Sequence, residues 1–225
     1  MSDVSDLSYY SEQVNSLKIK LLDEYLLPGK CLDIGCGNGL YGEKISGKCS
    51  ELLQIDVLDR RSAEAKQYQF LSMDAAKLDL PTKSFDNVVA FDIMEHLDDD
   101  IAFCQQVQHL CRESGRFILS VPNKEDNQPR IMGLTHMHHV DKTHRREYSK
   151  EGLQSLLEDN GFNILKIQPQ FNRGILNAGR ALAKRNIIAN LAAKSLYLQT
   201  LFYLGVGIFE NRCIADWFCV AEANF

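Results

Sequence analysis

Residues 31–39 read Cys31-Leu32-Asp33-Ile34-Gly35-Cys36-Gly37-Asn38-Gly39, and this stretch decides the fold. A short apolar strand runs straight into glycines. Glycine lets the backbone turn tightly and lets a ligand approach where a Cβ would otherwise stand. A helix is predicted beyond the loop, and its N-terminus would offer N–H groups to a carboxylate or phosphate.

Working outward, Leu17, Leu21, Leu22 and Tyr25 repeat at helical spacing, and Pro28-Gly29 ends that helix. Leu52 to Asp56 read as a second strand, Phe70-Leu71 as part of a weaker third. Asn87 to Phe91 form a fourth, with the apolar run expected of a strand covered on both faces. Asp98, Asp99 and Asp100 open a helix whose dipole they complement. Its expected buried stripe is Ile101, Cys104, Val107 and Cys111, with Gly115 as C-cap. Phe117 to Val121 make a fifth strand; Ser149 caps a helix carrying Leu153, Leu156 and Leu157 that stops at Asn160-Gly161. Phe162 to Ile167 and Trp217 to Ala221 bring the strands to seven. This rhythm predicts one α/β domain over 1–225, a doubly wound, mostly parallel, Rossmann-like sheet. Residues 1–29 would be an N-terminal helical segment and 172–212 a helical insertion before the last strand.

The net charge of -5, from 25 basic and 30 acidic residues, opposes a general affinity for nucleic acid. The seven cysteines include no CxxC pair, so neither a disulfide framework nor a zinc knuckle is indicated. Buried thiols in a reducing compartment are expected. The N-terminal residues lack a basic region followed by an apolar run, and a cytoplasmic location is expected.

Gly37-Asn38-Gly39-Leu40-Tyr41-Gly42 also satisfies GxGxxG, which keeps a nicotinamide-dependent oxidoreductase open. Three acids favour another ligand. Asp33 at the end of its strand is placed to meet an ammonium rather than a pyrophosphate. Asp56 ends the next strand, where a carboxylate can accept both ribose hydroxyls. Asp74 follows the third strand, where an acceptor can receive the exocyclic amine of adenine.

The segment Cys31 to Gly39 resembles motif I of the class I S-adenosylmethionine-dependent methyltransferases. Asp56 matches the acidic second motif, and Met73-Asp74-Ala75 the third. Phe85 to Leu97 (FDNVVAFDIMEHL) is similar to the fourth motif in the quinone-biosynthesis branch, and Gly115 to Asn123 resembles the fifth strand. The resemblance implies an antiparallel last strand and S-adenosylmethionine as cofactor, with S-adenosylhomocysteine as product. It implies that Asp33, Gly35, Gly37 and Gly39 hold the methionine part, that Asp56 and Val57 lie at the ribose, and that Met73, Asp74 and Ala75 hold the adenine. Phe91 would lie beside the ligand.

His96 is the candidate general base, because this branch places the transferred methyl near that position and imidazole titrates near neutral pH. The competing expectation is that Glu95 and His96 only organise the loop. Asp92 to His96 is similar to the ExxEH metal motif of small-RNA 2′-O-methyltransferases and some quinol O-methyltransferases, and the segment with His136, His138, His139 and His144 could supply the remaining histidine. Asp92 replaces the first Glu there, which shortens its reach. The site is read without metal, and the metal alternative stays open. His138, His139 and Tyr148, in the connection after the fifth strand, are the candidate acceptor contacts. Lys142, Arg145 and Arg146 either hold an acidic substrate or form a solvated loop face.

No Asp or Glu occurs from Asn160 through Phe209, whereas Lys166, Arg173, Arg180, Lys184, Arg185 and Lys194 do. The uncharged run from Ser195 to Phe209 is shorter than the ~20 residues a bilayer span needs. Amphipathic helices there could lie on an anionic membrane, cover a greasy substrate, or pack as a dimer or cap surface. The expectation is methyl transfer to a small-molecule or lipid-linked acceptor, with oxygen the favoured atom and peripheral contact with a membrane's inner face open. A non-catalytic S-adenosylmethionine-binding module is the alternative.

Overall fold

A computed structural model describes residues 14–124, 143–171 and 214–225. Its strands are β1 (Lys30–Ile34), β2 (Glu51–Asp56), β3 (Gln69–Ser72), β4 (Phe85–Phe91), β5 (Cys111–Pro122), β6 (Phe162–Phe171) and β7 (Ile214–Ala223). They form one sheet in the order β3-β2-β1-β4-β5-β7-β6. The first five are parallel, and β7 runs antiparallel to both β5 and β6, as the family resemblance implies.

Both faces of the sheet are covered, and this explains the apolar strands. Val88 and Ala90 of β4 join Phe117 and Leu119 of β5 in one core cluster, with Phe103, Val107 and Leu153 above them. Val89, Phe91 and Ile118 point into the other cluster, with Leu21, Leu22, Ile45 and Phe218. Period-two alternation between two dry faces explains why Val88 to Phe91 and Phe117 to Leu119 are continuously apolar.

The helices are α1 (Ser16–Tyr25), α2 (Gly42–Ser46), α3 (Asp100–Leu110) and α4 (Lys150–Asp159). Asn15 caps α1, its side chain accepting from the amides of Leu17 and Lys18, and Ser149 caps α4 through Gly152. The helix predicted after the glycine loop is five residues long and starts at Gly42. The stripe of α3 differs in part from the expected one. Phe103, Cys104, Val107 and Leu110 are buried, whereas Ile101 is 51% exposed and Cys111 already belongs to β5. Gly115 is not a C-cap, because α3 ends at Leu110 without a glycine. It lies in an irregularity of β5, between the pairs Phe85↔Cys111 and Asn87↔Arg116, where Ser114 takes φ +59° and a Cβ on Gly115 would come 2.9 Å from the carbonyl of Arg112.

Because β1 lies between β2 and β4, the chain leaves it toward β2 and β3 and later returns to β4 and β5 on the other side. Ligands of such sheets bind beyond the carboxyl ends of the strands at this reversal. The glycine loop, Asp56 and Asp92 all stand there.

Gly39 has φ +77°, and a Cβ on it would lie 2.4 Å from the Cβ of Ala65. Gly39→Ala is expected to cost about 2 kcal/mol in urea unfolding, through backbone strain and overlap together. Adding Ala65→Gly should recover part of that loss, since the two sites share one space.

Candidate functional site

Gly35, Gly37 and Gly39 hold φ values of +68°, +55° and +77°. The loop they build is sewn to the end of β2. The amides of Gly35 and Cys36 both donate to the carbonyl of Ile55, at 2.8 and 3.1 Å, and the amide of Gly37 donates to Asp56 Oδ2 at 2.9 Å. A Cβ on Gly35 would overlap Ile93 Cδ1 at 1.9 Å, so the loop after β4 occupies the space this glycine leaves.

Asp33 is buried at the end of β1, paired in register with Gln54 of β2. Its Oδ2 accepts from Gln54 Nε2 at 3.0 Å. Burial pushes its carboxyl up to about 6; the Gln54 hydrogen bond works against that rise and the Asp56 charge adds to it. Val57, beyond Asp56, is 48% exposed. Asp74 is exposed, and its Oδ1 accepts from the amide of Ala76 at 2.8 Å, a local turn that aspartate commonly makes. Met73 and Ala75 beside it are half-buried, with the Met73 amide on the carbonyl of Asp56. Thus the predicted cofactor residues on β1, β2 and β3 share one edge of the sheet. Bare glycine backbone, an acid at each of two strand ends and exposed Val57 suit a ligand with an ammonium, a sugar and a flat base.

Phe91 is buried, edge-on to Tyr41 at 5.2 Å between centroids. Asp92 follows it with φ +56°. Ser120 Oγ donates to its Oδ1, and Lys18 Nζ, from α1, meets its Oδ2 at 2.5 Å. The Lys18 ammonium also lies 4.9 Å from the Phe91 ring centroid. Burial works against the Lys18 charge, but Asp92, with Tyr41 and Asp216, together more than offset it, so its pKa stands above the ordinary lysine value. Sequence reasoning missed Lys18, although a lysine in phase with Leu21 and Leu22 on the buried side of a helix is a visible signal.

Glu95, His96 and His144 each bring a ligand atom within 4.8 Å of the others. Glu95 is fully buried, and among the described residues neither carboxylate oxygen meets a hydrogen-bond partner. Burial, and then the Asp92 charge, pushes its carboxyl well above the usual range, with Lys18 partly opposing. His96 and His144 stand edge to face at 4.7 Å, and Thr143 Oγ1 lies 3.0 Å from His96 Nδ1. The tautomer with its proton on Nδ1 puts the basic lone pair on Nε2. One oxygen and two imidazole donors suit a divalent transition metal, so this trio could hold one.

The predicted contacts His138 and His139, with His136 and Lys142, lie outside the described residues, as does 172–212. Tyr148 is buried, its hydroxyl donating to Asp100 Oδ2 at 3.1 Å. Arg145 is exposed and Arg146 half-buried, and both are tied to the segment after β4. Arg145 pairs with Asp98 and donates to the carbonyl of His96; Arg146 pairs with Asp100 and donates to the carbonyls of Leu97 and Asp98.

The chain matches the family described as "Methyltransferase domain" over residues 7–167. It is 30% identical over 135 residues to a probable S-adenosylmethionine-dependent methyltransferase of Mycobacterium tuberculosis, covering 58% of this chain and 47% of that protein. It is 26% identical over 125 residues to a ubiquinone biosynthesis O-methyltransferase of Acinetobacter baylyi, covering 50% and 52%. The chain thus spans about half the length of the curated relatives it matches. A crystal structure of a SAM-dependent methyltransferase from Archaeoglobus fulgidus superposes with a TM-score of 0.64 over 92% of each chain at 18% identity, which shows the shared fold.

Asp33 yields a pH prediction. A carboxyl raised to about 6 in the folded state favours folding while protonated, and that contribution is lost as pH climbs from about 4 through about 6. Asp33→Asn should therefore stabilise the ligand-free protein by about 1–3 kcal/mol at neutral pH, and by nearly nothing near pH 4, in urea titrations. Lys18→Met is expected to cost about 1–2 kcal/mol, because Asp92 is half-exposed and water screens the charge left behind.

Proposed function

The chain belongs to the methyltransferase-domain family, and from that membership we propose that it transfers a methyl group from S-adenosylmethionine to a hydroxyl of a small-molecule or lipid-linked acceptor. The observation that carries this reading is the placing of two sets of residues along one edge of the sheet. Asp33, the glycine loop and Asp56 close the ends of β1 and β2, and His96 stands beyond β4. When bound, S-adenosylmethionine supplies a methyl already activated by its sulfonium, so the protein must align the acceptor and remove its proton. Asp33 would hold the cofactor's amino group, Asp56 its ribose, and Met73 to Ala75 its adenine. His96 would take the hydroxyl proton on Nε2, with Thr143 fixing the ring through Nδ1. The name of the Acinetobacter relative supports oxygen as the acceptor atom. The basic, apolar sequence of 172–212 supports a lipid-linked acceptor and peripheral membrane contact. No described helix is long and apolar enough to cross a membrane.

A second reading adds a divalent ion at Glu95, His96 and His144. The buried Glu95 carboxylate, with no hydrogen-bond partner among the described residues, favours it. A bound ion would polarise the acceptor hydroxyl and replace His96 as the source of activation. Turnover lost after chelation and restored by zinc or manganese supports it; turnover indifferent to chelator removes it.

Calorimetric titration with S-adenosylhomocysteine tests the main reading. Micromolar binding is expected, abolished by Asp56→Ala, with no response to NAD; absence of binding by folded protein overturns it. With a hydroxyl acceptor in hand, His96→Gln should lower kcat by about 10²–10⁴-fold and leave S-adenosylhomocysteine affinity unchanged.

A further inference from the structure

We infer that Gln54 and Arg61 are positioning residues for the amino end of the cofactor, acting through Asp33. The inference rests on the reading that Asp33 meets the cofactor's ammonium. Gln54 is fully buried in a strand whose neighbours Leu52 and Ile55 are apolar. A buried amide is costly unless both its ends are bonded. Here Nε2 donates to Asp33 Oδ2 at 3.0 Å, and Oε1 accepts from Arg61 Nη1 at 3.4 Å. Arg61 thereby decides which end of the amide faces the acid, since its guanidinium can only donate.

Arg61 is itself held from several sides. Nη1 donates to the carbonyls of Ala65 and Tyr68 at 3.2 and 2.9 Å; Nε and Nη2 donate to the two oxygens of Asp59 at 2.9 and 3.1 Å. The guanidinium carbon lies 4.5 Å from the centroid of the Phe70 ring. A connected line of hydrogen bonds therefore links Asp59, Arg61, Gln54 and Asp33, with Arg61 donating to Asp59 and Gln54, and Gln54 donating to Asp33. The same amide backs the cofactor loop, lying 3.6 Å from a Cβ built on Gly39 and 3.2 Å from one built on Gly42.

The chemical consequence concerns charge. An ammonium is held best by ionised Asp33, and burial makes that form costly. Asp56 opposes ionisation from the end of β2, and the N–H of Gln54 favours it. Cys36 and Tyr41 lie within electrostatic reach of Asp33 from the glycine loop and the residue before α2, and Cys31 from β1 itself. Without the Gln54 donor, Asp33 needs a higher pH to ionise, and cofactor affinity follows it.

The test is calorimetric titration with S-adenosylhomocysteine from about pH 5 to about pH 8.5, with a thermal melt of every variant. Wild-type affinity should be level above pH 7 and fall about tenfold per unit below about pH 6. Gln54→Met, which keeps the shape without the donor, should bind about tenfold more weakly near pH 6.5 and within about twofold of wild type near pH 8.5. Arg61→Lys should move the profile the same way by less. Equal loss at every pH, or a midpoint that does not move, overturns the relay. Asp33→Asn separates the two claims. Weak, pH-independent binding upholds Asp33 as the ammonium's partner whatever Gln54 does, and wild-type binding by that variant sinks the reading of Asp33 and the relay with it.

Discussion

The amide of Gly37 donating to the carboxylate of Asp56 turns a strand end into a cradle. Three backbone positions in the left-handed region, each a glycine, would be the loosest stretch of the chain without such an anchor. The carbonyl of Ile55 holds the amides of Gly35 and Cys36, and Asp56 holds the next glycine. Both anchors exist because β1 and β2 pair in parallel with Ile34 beside Ile55. The register of two buried strands thus fixes the loop, and the loop fixes where a ligand's polar atoms can lie. Asn38 extends the same logic, its carbonyl accepting the amide of Ser62 and so drawing in the segment that carries Arg61.

The other half of the site is built by mutual bracing. The segment after β4 carries Asp92, Glu95 and His96, and the segment before α4 carries Thr143, His144 and Tyr148. The amide of Arg145 donates to the carbonyl of Glu95, and the Arg145 and Arg146 guanidinium groups cover the carbonyls of the next three residues. Among the described residues these segments carry one short 3-10 turn at Met94–His96 and a bridge between Asn123 and Tyr148, and the arginine bonds tie them together beside the edge-to-face imidazoles. From below, Lys18 compensates the Asp92 carboxylate close to Glu95, which lets acidic groups gather where burial alone would forbid it.

The parts legible in the sequence are those encoded locally. The strand-glycine transition, the caps at Asn160-Gly161 and Ser149, and the apolar core strands each follow from neighbours within a few residues. The missed parts depend on partners distant in sequence. Lys18 finds Asp92 and Thr143 finds His96 only because β1 and β4 are adjacent and the chain returns after β5. The stripe of α3 was legible in part: Cys104, Val107 and Cys111 are buried as expected, Ile101 is exposed, and Phe103 and Leu110 join the core beside them. Gln54 gave a readable hint, a polar residue in the middle of a buried strand, but its partners lie on β1 and in the loop leading to β3.

The antiparallel β7 lies between β5 and β6, both of which precede it in the chain. During synthesis, residues 111–171 therefore emerge before the strand that joins them. Until Ile214–Ala223 clears the ribosome, β5 and β6 each present an unpaired edge, and one flank of the sheet stays open. Open edges invite pairing with other chains. Vectorial translation thus leaves two strand edges exposed until Ile214–Ala223 pairs with both of them.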